Sequence, residues 1–283
     1  TDIDLIPDED MVVTLSHSGY IKRNPVGTYR AQRRGGKGVT GMETREEDFV
    51  EHLFVASTHA DILFFTDKGR VHWIKVHELP SLGRTAKGKA LVNLLQLAEG
   101  ERVQALLPVR SFEEQGFILL CTRQGVIKKT DLQAYANPRR GGIIAINLSE
   151  GDEVIAARRT TGQQEVLIAT RAGKSARFTE SQVRPMGRTA TGVRGITLVE
   201  DDAVVGMEIL VPGNTILTVT ERGFGKRTPL DDYRLQNRGG QGVITIRTTD
   251  RNGPVIGVAQ VRAADEGMFI TDGGKVLRAA VSG

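Results

Sequence analysis

The chain has 283 residues, 39% hydrophobic and 25% charged, with a formal net charge of +4 and a pI near 9.3. Its one cysteine, Cys121 in the apolar run FILLCT, excludes a disulfide framework or a thiolate metal cluster and reads as a small buried hydrophobe. No apolar run approaches the roughly 18 residues of a membrane span, and the acidic opening TDIDLIPDED lacks the parts of a signal peptide, so a soluble, cytoplasmic protein is expected.

The first apolar run, MVVTL, leads through Gly19 into YIKR, and from His17 to Met42 no carboxylate occurs. That stretch holds Lys22, Arg23, Arg30, Arg33, Arg34 and Lys37, and its centre, Gln32 to Gly38, reads QRRGGKG. Three cations threaded through Gly35, Gly36 and Gly38 can bring guanidinium forks and bare backbone N–H groups to phosphate oxygens together, which points to a polyanionic partner.

The opening pattern returns along the chain. LSHSGYIKR, FTDKGRVHW, CTRQGVIKK, ATRAGKSAR, VTERGFGKR and ITDGGKVLR are anchored on Gly19, Gly69, Gly125, Gly173, Gly223 and Gly274, at spacings of 50, 56, 48, 50 and 51 residues. A period of this size signals a propeller or array. A second glycine follows after nineteen residues at Gly38, Gly88, Gly192 and Gly242, and after seventeen at Gly142. Each unit reads as an apolar strand, a glycine turn, a strand ending in basic residues, a glycine-rich loop and two further strands, with no helical period sustained over three turns. The expected fold is all-β, one domain over 1–283, with repeats at about 11–60, 61–116, 117–165, 166–214, 215–266 and a truncated 267–283.

Basic residues recur after the anchor: Lys22 and Arg23, Lys75, Lys128 and Lys129, Arg177, Lys226 and Arg227, and Arg278. The glycine loops add Arg84, Lys87 and Lys89, then Arg139 and Arg140, then Arg188 and Arg194, then Arg238. Carboxylates gather instead in turns such as EGER, EGDE and EDD. One rim of the ring is therefore expected to form a periodic basic track.

QRRGGKG matches the GyrA box, and the chain resembles the C-terminal domain of the bacterial DNA gyrase A polypeptide over essentially its whole length, including EDFVEHLFVAS, KALVNLLQL and GFGKRT. The resemblance implies a six-bladed β-pinwheel whose blades exchange strands, wrapping duplex DNA with positive hand around its perimeter so that the holoenzyme introduces negative supercoils. It implies Gln32, Arg33, Arg34, Gly35, Gly36, Lys37 and Gly38 as the principal DNA contact. It also implies a domain without catalysis, metal or cofactor of its own, joined to the rest of the gyrase A polypeptide and to the gyrase B polypeptide in an A2B2 assembly whose other parts use ATP and magnesium. The sixth copy stops soon after its second strand, so an incomplete sixth blade, an open or spiral ring and a domain without the acidic tail of many family members are expected. QNRGGQG (236–242) has Asn237 and Gln241 in place of two cations, so a weaker contact is expected there.

Other readings fit less well. The five histidines form no metal-ligand pattern, and none of Tyr20, Tyr29, Tyr135 and Tyr233 lies in the context of a topoisomerase nucleophile. Kelch-like glycine pairs occur without the regular aromatics of kelch blades, and no P-loop is present. A protein-binding propeller would expose apolar loop tips, whereas these are Arg, Lys, Gly and Thr. A topoisomerase IV ParC-type domain, with a degraded box, is the alternative within the family.

Overall fold

In copies one to five a hydroxyl three residues ahead of the anchor glycine shapes the hairpin. The side chains of Ser16, Thr66, Thr122, Thr170 and Thr220 accept from the N–H of the residue after the glycine, and their carbonyls accept from the glycine itself. The glycines take positive φ, between 80° and 92°, which a side chain would oppose. The computed structural model describes residues 2–28, 48–83, 85–262, 268–270 and 276–278.

The first copy contributes β1 (Asp10–Ser16), β2 (Tyr20–Pro25) and β3 (Val50–Ser57). The second contributes β4 (Asp61–Thr66), β5 (Arg70–Lys75), β6 (Lys89–Ala90) and β7 (Val103–Val109). The third has β8 (Phe117–Thr122), β9 (Val126–Asp131), β10 (Ile143–Ile144) and β11 (Val154–Thr160). The fourth has β12 (Glu165–Thr170), β13 (Lys174–Thr179), β14 (Val193–Arg194) and β15 (Val204–Leu210). The fifth has β16 (Thr215–Thr220), β17 (Gly225–Pro229), β18 (Val243–Ile244) and β19 (Val255–Val261), and β20 (Met268–Ile270) and β21 (Val276–Arg278) follow.

Sequence repeats and sheets do not coincide. The sheets run β3-β1-β2-β6, β10-β5-β4-β7, β11-β8-β9-β14, β15-β12-β13-β18 and β17-β16-β19, so the short third strand of each of copies two to five completes the sheet of the copy before it. The central strands β4, β8, β12 and β16 read as apolar runs because both of their faces are buried. Alternation sends Ile62 and Phe64 toward the first sheet while Leu63 and Phe65 pack with Ile118 and Leu120 of the third. In the same way Leu119 and Cys121 meet Val166 and Ile168, and Leu167 and Ala169 meet Ile216 and Leu230. Burying each such side chain stabilises the fold by about 1.5–3 kcal/mol.

The architecture is all-β and propeller-like, with five blades among the described residues rather than six. Among the described residues the sixth copy supplies the antiparallel pair β20–β21 and no third long strand. That hairpin has β20 beside β19 and β21 beside β3, so it stands between the fifth and first blades where an opening was expected.

Candidate nucleic-acid interface

In the first four copies the position three residues after the anchor is buried. Lys22 is fully buried, and its Nζ donates to the carbonyls of Gly83 (3.3 Å) and Ala86 (2.9 Å) in the loop that crosses from the second copy. Lys128, also fully buried, donates to the carbonyl of Ala145 and to that of Arg188 at 2.5 Å, while Lys226 reaches the carbonyl of Thr245 at 3.0 Å. Burial, and then the Arg188 charge nearby, pull Lys128 down to about pKa 7. His72 takes this place in the second copy, and burial lowers its pKa, favouring a neutral ring.

The next position reaches the adjoining copy. Arg23 donates to the carbonyls of Leu79 and His77, closing the 3₁₀ turn Val76–Glu78. Trp73 Nε1 donates to Tyr135 at the end of the turn Leu132–Tyr135. Lys129 donates to Glu180, which opens the turn Glu180–Gln182, and Arg177 donates to Leu230 and Tyr233 around the turn Leu230–Asp232. In the fifth copy Arg227 donates instead to the carbonyl of Arg262, at the end of its own copy. The donors of the first four copies satisfy carbonyls that such short turns leave free, and so clamp each of these copies to the next.

Lys22, Lys128 and Lys129, expected on the basic perimeter, are therefore corrected to interior positions. Arg23, Arg177 and Arg227 are half-buried and face neighbouring backbone, and Lys226, though exposed, bonds to its own copy. The glycine-loop cations are placed differently. Lys89, Arg139, Arg140 and Arg194 are exposed, and Lys87, Arg188 and Arg238 are half-exposed, with the Lys87 ammonium 3.8 Å from the centre of the Tyr20 ring. Gln32 to Gly38 and Arg84 lie outside the described residues, as does the side chain of Arg278. Sequence reasoning missed the exposed Arg184 and Arg234, whose signal was their place just ahead of Pro185 and Leu235, the residues that bridge to Lys129 and Arg177 of the preceding copy.

The exposed loops are tied to one another. Arg188 donates to the carbonyl of Ile144 (3.0 Å) and Asn147 N–H to that of Ala190 (3.1 Å), joining the third and fourth copies. Arg238 donates to Arg194 (2.6 Å), Thr197 N–H to Gly240 (2.8 Å) and Thr197 Oγ1 to Gly239 (2.6 Å), joining the fourth and fifth. The result is a rail of cation-bearing loops running from the third copy to the fifth. Acidic residues are used elsewhere: Asp152 and Asp202 accept from the hairpin N–H groups of Gln124 and Ala172. Among the described residues no group of three or more His, Cys, Asp or Glu is placed to hold a metal, and no helix is long and apolar enough to cross a membrane. Cys121 is buried, which pushes its thiol up to about 12, and burial raises the phenols of Tyr135 and Tyr233.

A family model described as the DNA gyrase C-terminal domain, a beta-propeller, matches residues 10–57, 60–110, 116–161, 164–210 and 214–262. The chain belongs to the DNA gyrase C-terminal domain family. It is 51% identical to the A subunit of DNA gyrase from Salmonella typhimurium over 279 residues, and 48% identical to that of Staphylococcus aureus over 284 residues. Each alignment covers 99% of this chain and 32% of the relative, so the chain spans about a third of those proteins. Among solved structures it is similar to the C-terminal domain of DNA topoisomerase IV, with a TM-score of 0.80 and 28% identity over 96% of this chain and 84% of that one. It also shares its fold with a DNA gyrase A C-terminal domain, with a TM-score of 0.73 and 23% identity over 95% of this chain and 89% of that one.

Proposed function

We propose that this gyrase-family domain binds duplex DNA along its loop rail and bends it around the rim without reading its sequence. The observation that carries this reading is the tying of cation-bearing loops on successive blades to one another through Arg188–Ile144 and Arg238–Arg194. Smoothly bending 20 to 30 base pairs by 40 to 90° costs on the order of 1 to 6 kcal/mol. Evenly spaced cations offset that cost stepwise by releasing counterions, and no base-edge contact is required.

Gln32 to Gly38 start or lock the wrap, and Lys87, Lys89, Arg139, Arg140, Arg188, Arg194 and Arg238 extend it. The wrap has positive hand and lets a cytoplasmic A2B2 gyrase introduce negative supercoils, using ATP and magnesium bound outside this domain, which itself does no chemistry. Family membership and the names of the 51% and 48% identical relatives support this setting. The likeness to the topoisomerase IV domain favours a second reading, a ParC-type role, against which the intact QRRGGKG weighs.

Ligation of nicked circles in the presence of the domain tests the proposal. The expected result is a positive shift in linking number, lost when Gln32 to Gly38 are replaced by alanine while DNA binding persists. Absence of a shift with the parent chain overturns wrapping, and an unchanged shift with the replacement overturns the role of the box.

A further inference from the structure

Lys128 lies beneath the joint between the third and fourth copies. Its Nζ donates to the carbonyl of Ala145 in the third copy and to that of Arg188, 2.5 Å away, in the fourth. Across the same joint the Arg188 guanidinium donates to the carbonyl of Ile144 at 3.0 Å, and Asn147 N–H to that of Ala190 at 3.1 Å. One fully buried ammonium therefore holds the backbone of both loops that meet here. The fourth-copy loop closes tightly over it, since a Cβ on Gly192 would stand 3.1 Å from the Lys128 Cβ.

The joint is short of negative charge. Neither Lys128 nor Arg188 forms an ion pair with a carboxylate among the described residues. Of the elements packed around Lys128, the third-copy loop carries the exposed Arg139 and Arg140, and the fourth-copy loop with its short strand carries Arg184, Arg188 and Arg194. The neighbouring strand β8, paired through Leu120, carries no charge. On its own strand Lys129 turns to Glu180, and Asp131 is exposed at the end. The other titratable groups beside these loops are neutral, since burial raises the Tyr135 phenol and lowers His72. A phosphate on the outer side of this joint alters the balance, because a nearby negative charge favours a buried cation.

We propose that Lys128 is a positioning residue for duplex binding, which holds the two loops of this joint from beneath and takes up a proton as phosphate docks above them. The inference rests on the DNA-binding reading given above. Being fully buried, the ammonium touches no phosphate and acts through the loop that carries Arg188. Its pKa of about 7 leaves Lys128 partly neutral in the free domain near that pH, and the polyanion draws it back to the cation. Linkage fixes the sign. The bound state holds more protons than the free one, so affinity is greatest below about pH 7 and falls as pH rises above it.

The test titrates the full chain with a fluorescent duplex long enough to span the rail. Relative to Lys128→Met, the parent's affinity is expected to fall about three- to tenfold from about pH 6.5 to about pH 8.5. Lys128→Arg, which keeps a cation throughout, is expected to bind like the parent at the acid end and to lose that fall. At the acid end Lys128→Met is expected to bind about threefold or more weakly than the parent, with the same slope of log affinity against log salt, as suits a residue that meets no phosphate. Calorimetry of the parent in buffers of different ionisation enthalpy needs no variant and is expected to show net proton uptake on binding. Parallel pH profiles of the parent and Lys128→Met, a reduced salt slope in Lys128→Met, or binding without proton uptake overturns the inference and leaves the DNA-binding reading in place. Absence of duplex binding by the parent overturns both.

Discussion

Lys129 and Glu180 meet at the junction of the third and fourth copies, with Nζ 3.6 Å from Oε1 and side-chain exposures of 4% and 0%. Glu180 also accepts from Gln164 N–H at 2.9 Å, so its carboxylate is held inside whether or not the lysine is present. Removing one member of a buried pair strands the other charge. Lys129→Met is expected to lower the unfolding free energy by about 3–5 kcal/mol in urea titrations, and the double change with Glu180→Gln to restore part of that loss.

Lys128 sets a pH dependence. Its folded-state pKa of about 7 lies below the ordinary lysine value of 10.5, so between those limits the unfolded chain binds the extra proton. Stability contributed by this residue therefore rises as pH increases from about 7 toward 10.5. Urea midpoints of the parent, measured relative to Lys128→Met, are expected to move upward across that window, and a flat difference would contradict the burial of a titrating ammonium.

Gly173 and Gly223 have the same φ of +87 but different surroundings. Gly223→Ala is expected to cost only the backbone strain, about 1–3 kcal/mol. Gly173→Ala adds a Cβ 2.1 Å from the Ile246 carbonyl and must also displace β18, so its thermal midpoint is expected to fall further. Equal midpoints would mean that the exchanged strand contributes nothing to the fourth blade.

Exposed and buried cations are expected to separate in DNA titrations. Replacing Arg139 and Arg140 with alanine should reduce the slope of log affinity against log salt by about 0.9 for each phosphate no longer neutralised. Lys129→Met, measured where it is fully folded, should leave the slope unchanged, because its ammonium is turned toward Glu180. Opposite results would return the DNA track to the post-anchor residues.

The hairpins were legible because a glycine in the left-handed region leaves a visible mark every fifty or so residues. The central strands were legible because burial on both faces demands unbroken runs such as ILFF and FILLC. Strand exchange is written in pairings such as Ser175 with Val243, nearly seventy residues apart, and the sequence there carried the glycine but not its destination. The post-anchor cations were misplaced for a related reason. A lysine stem can bury its methylenes and still satisfy its ammonium on carbonyls, so Lys22 and Lys128 look in sequence like surface charge. The sixth copy reads as an incomplete sixth blade because Gly274 sits in the same sequence context as the other anchors while the strands that would follow are missing from the sequence.

Strand exchange also gives the ring a direction in time. On a ribosome emitting the chain from its amino end, the sheet begun by β12 and β13 stays unfinished until Val243 and Ile244 emerge, and each earlier sheet likewise waits for the copy behind it. Nascent blades therefore pass through synthesis with an open edge, and each is sealed only as its successor is being made, like overlapping tiles laid in one order.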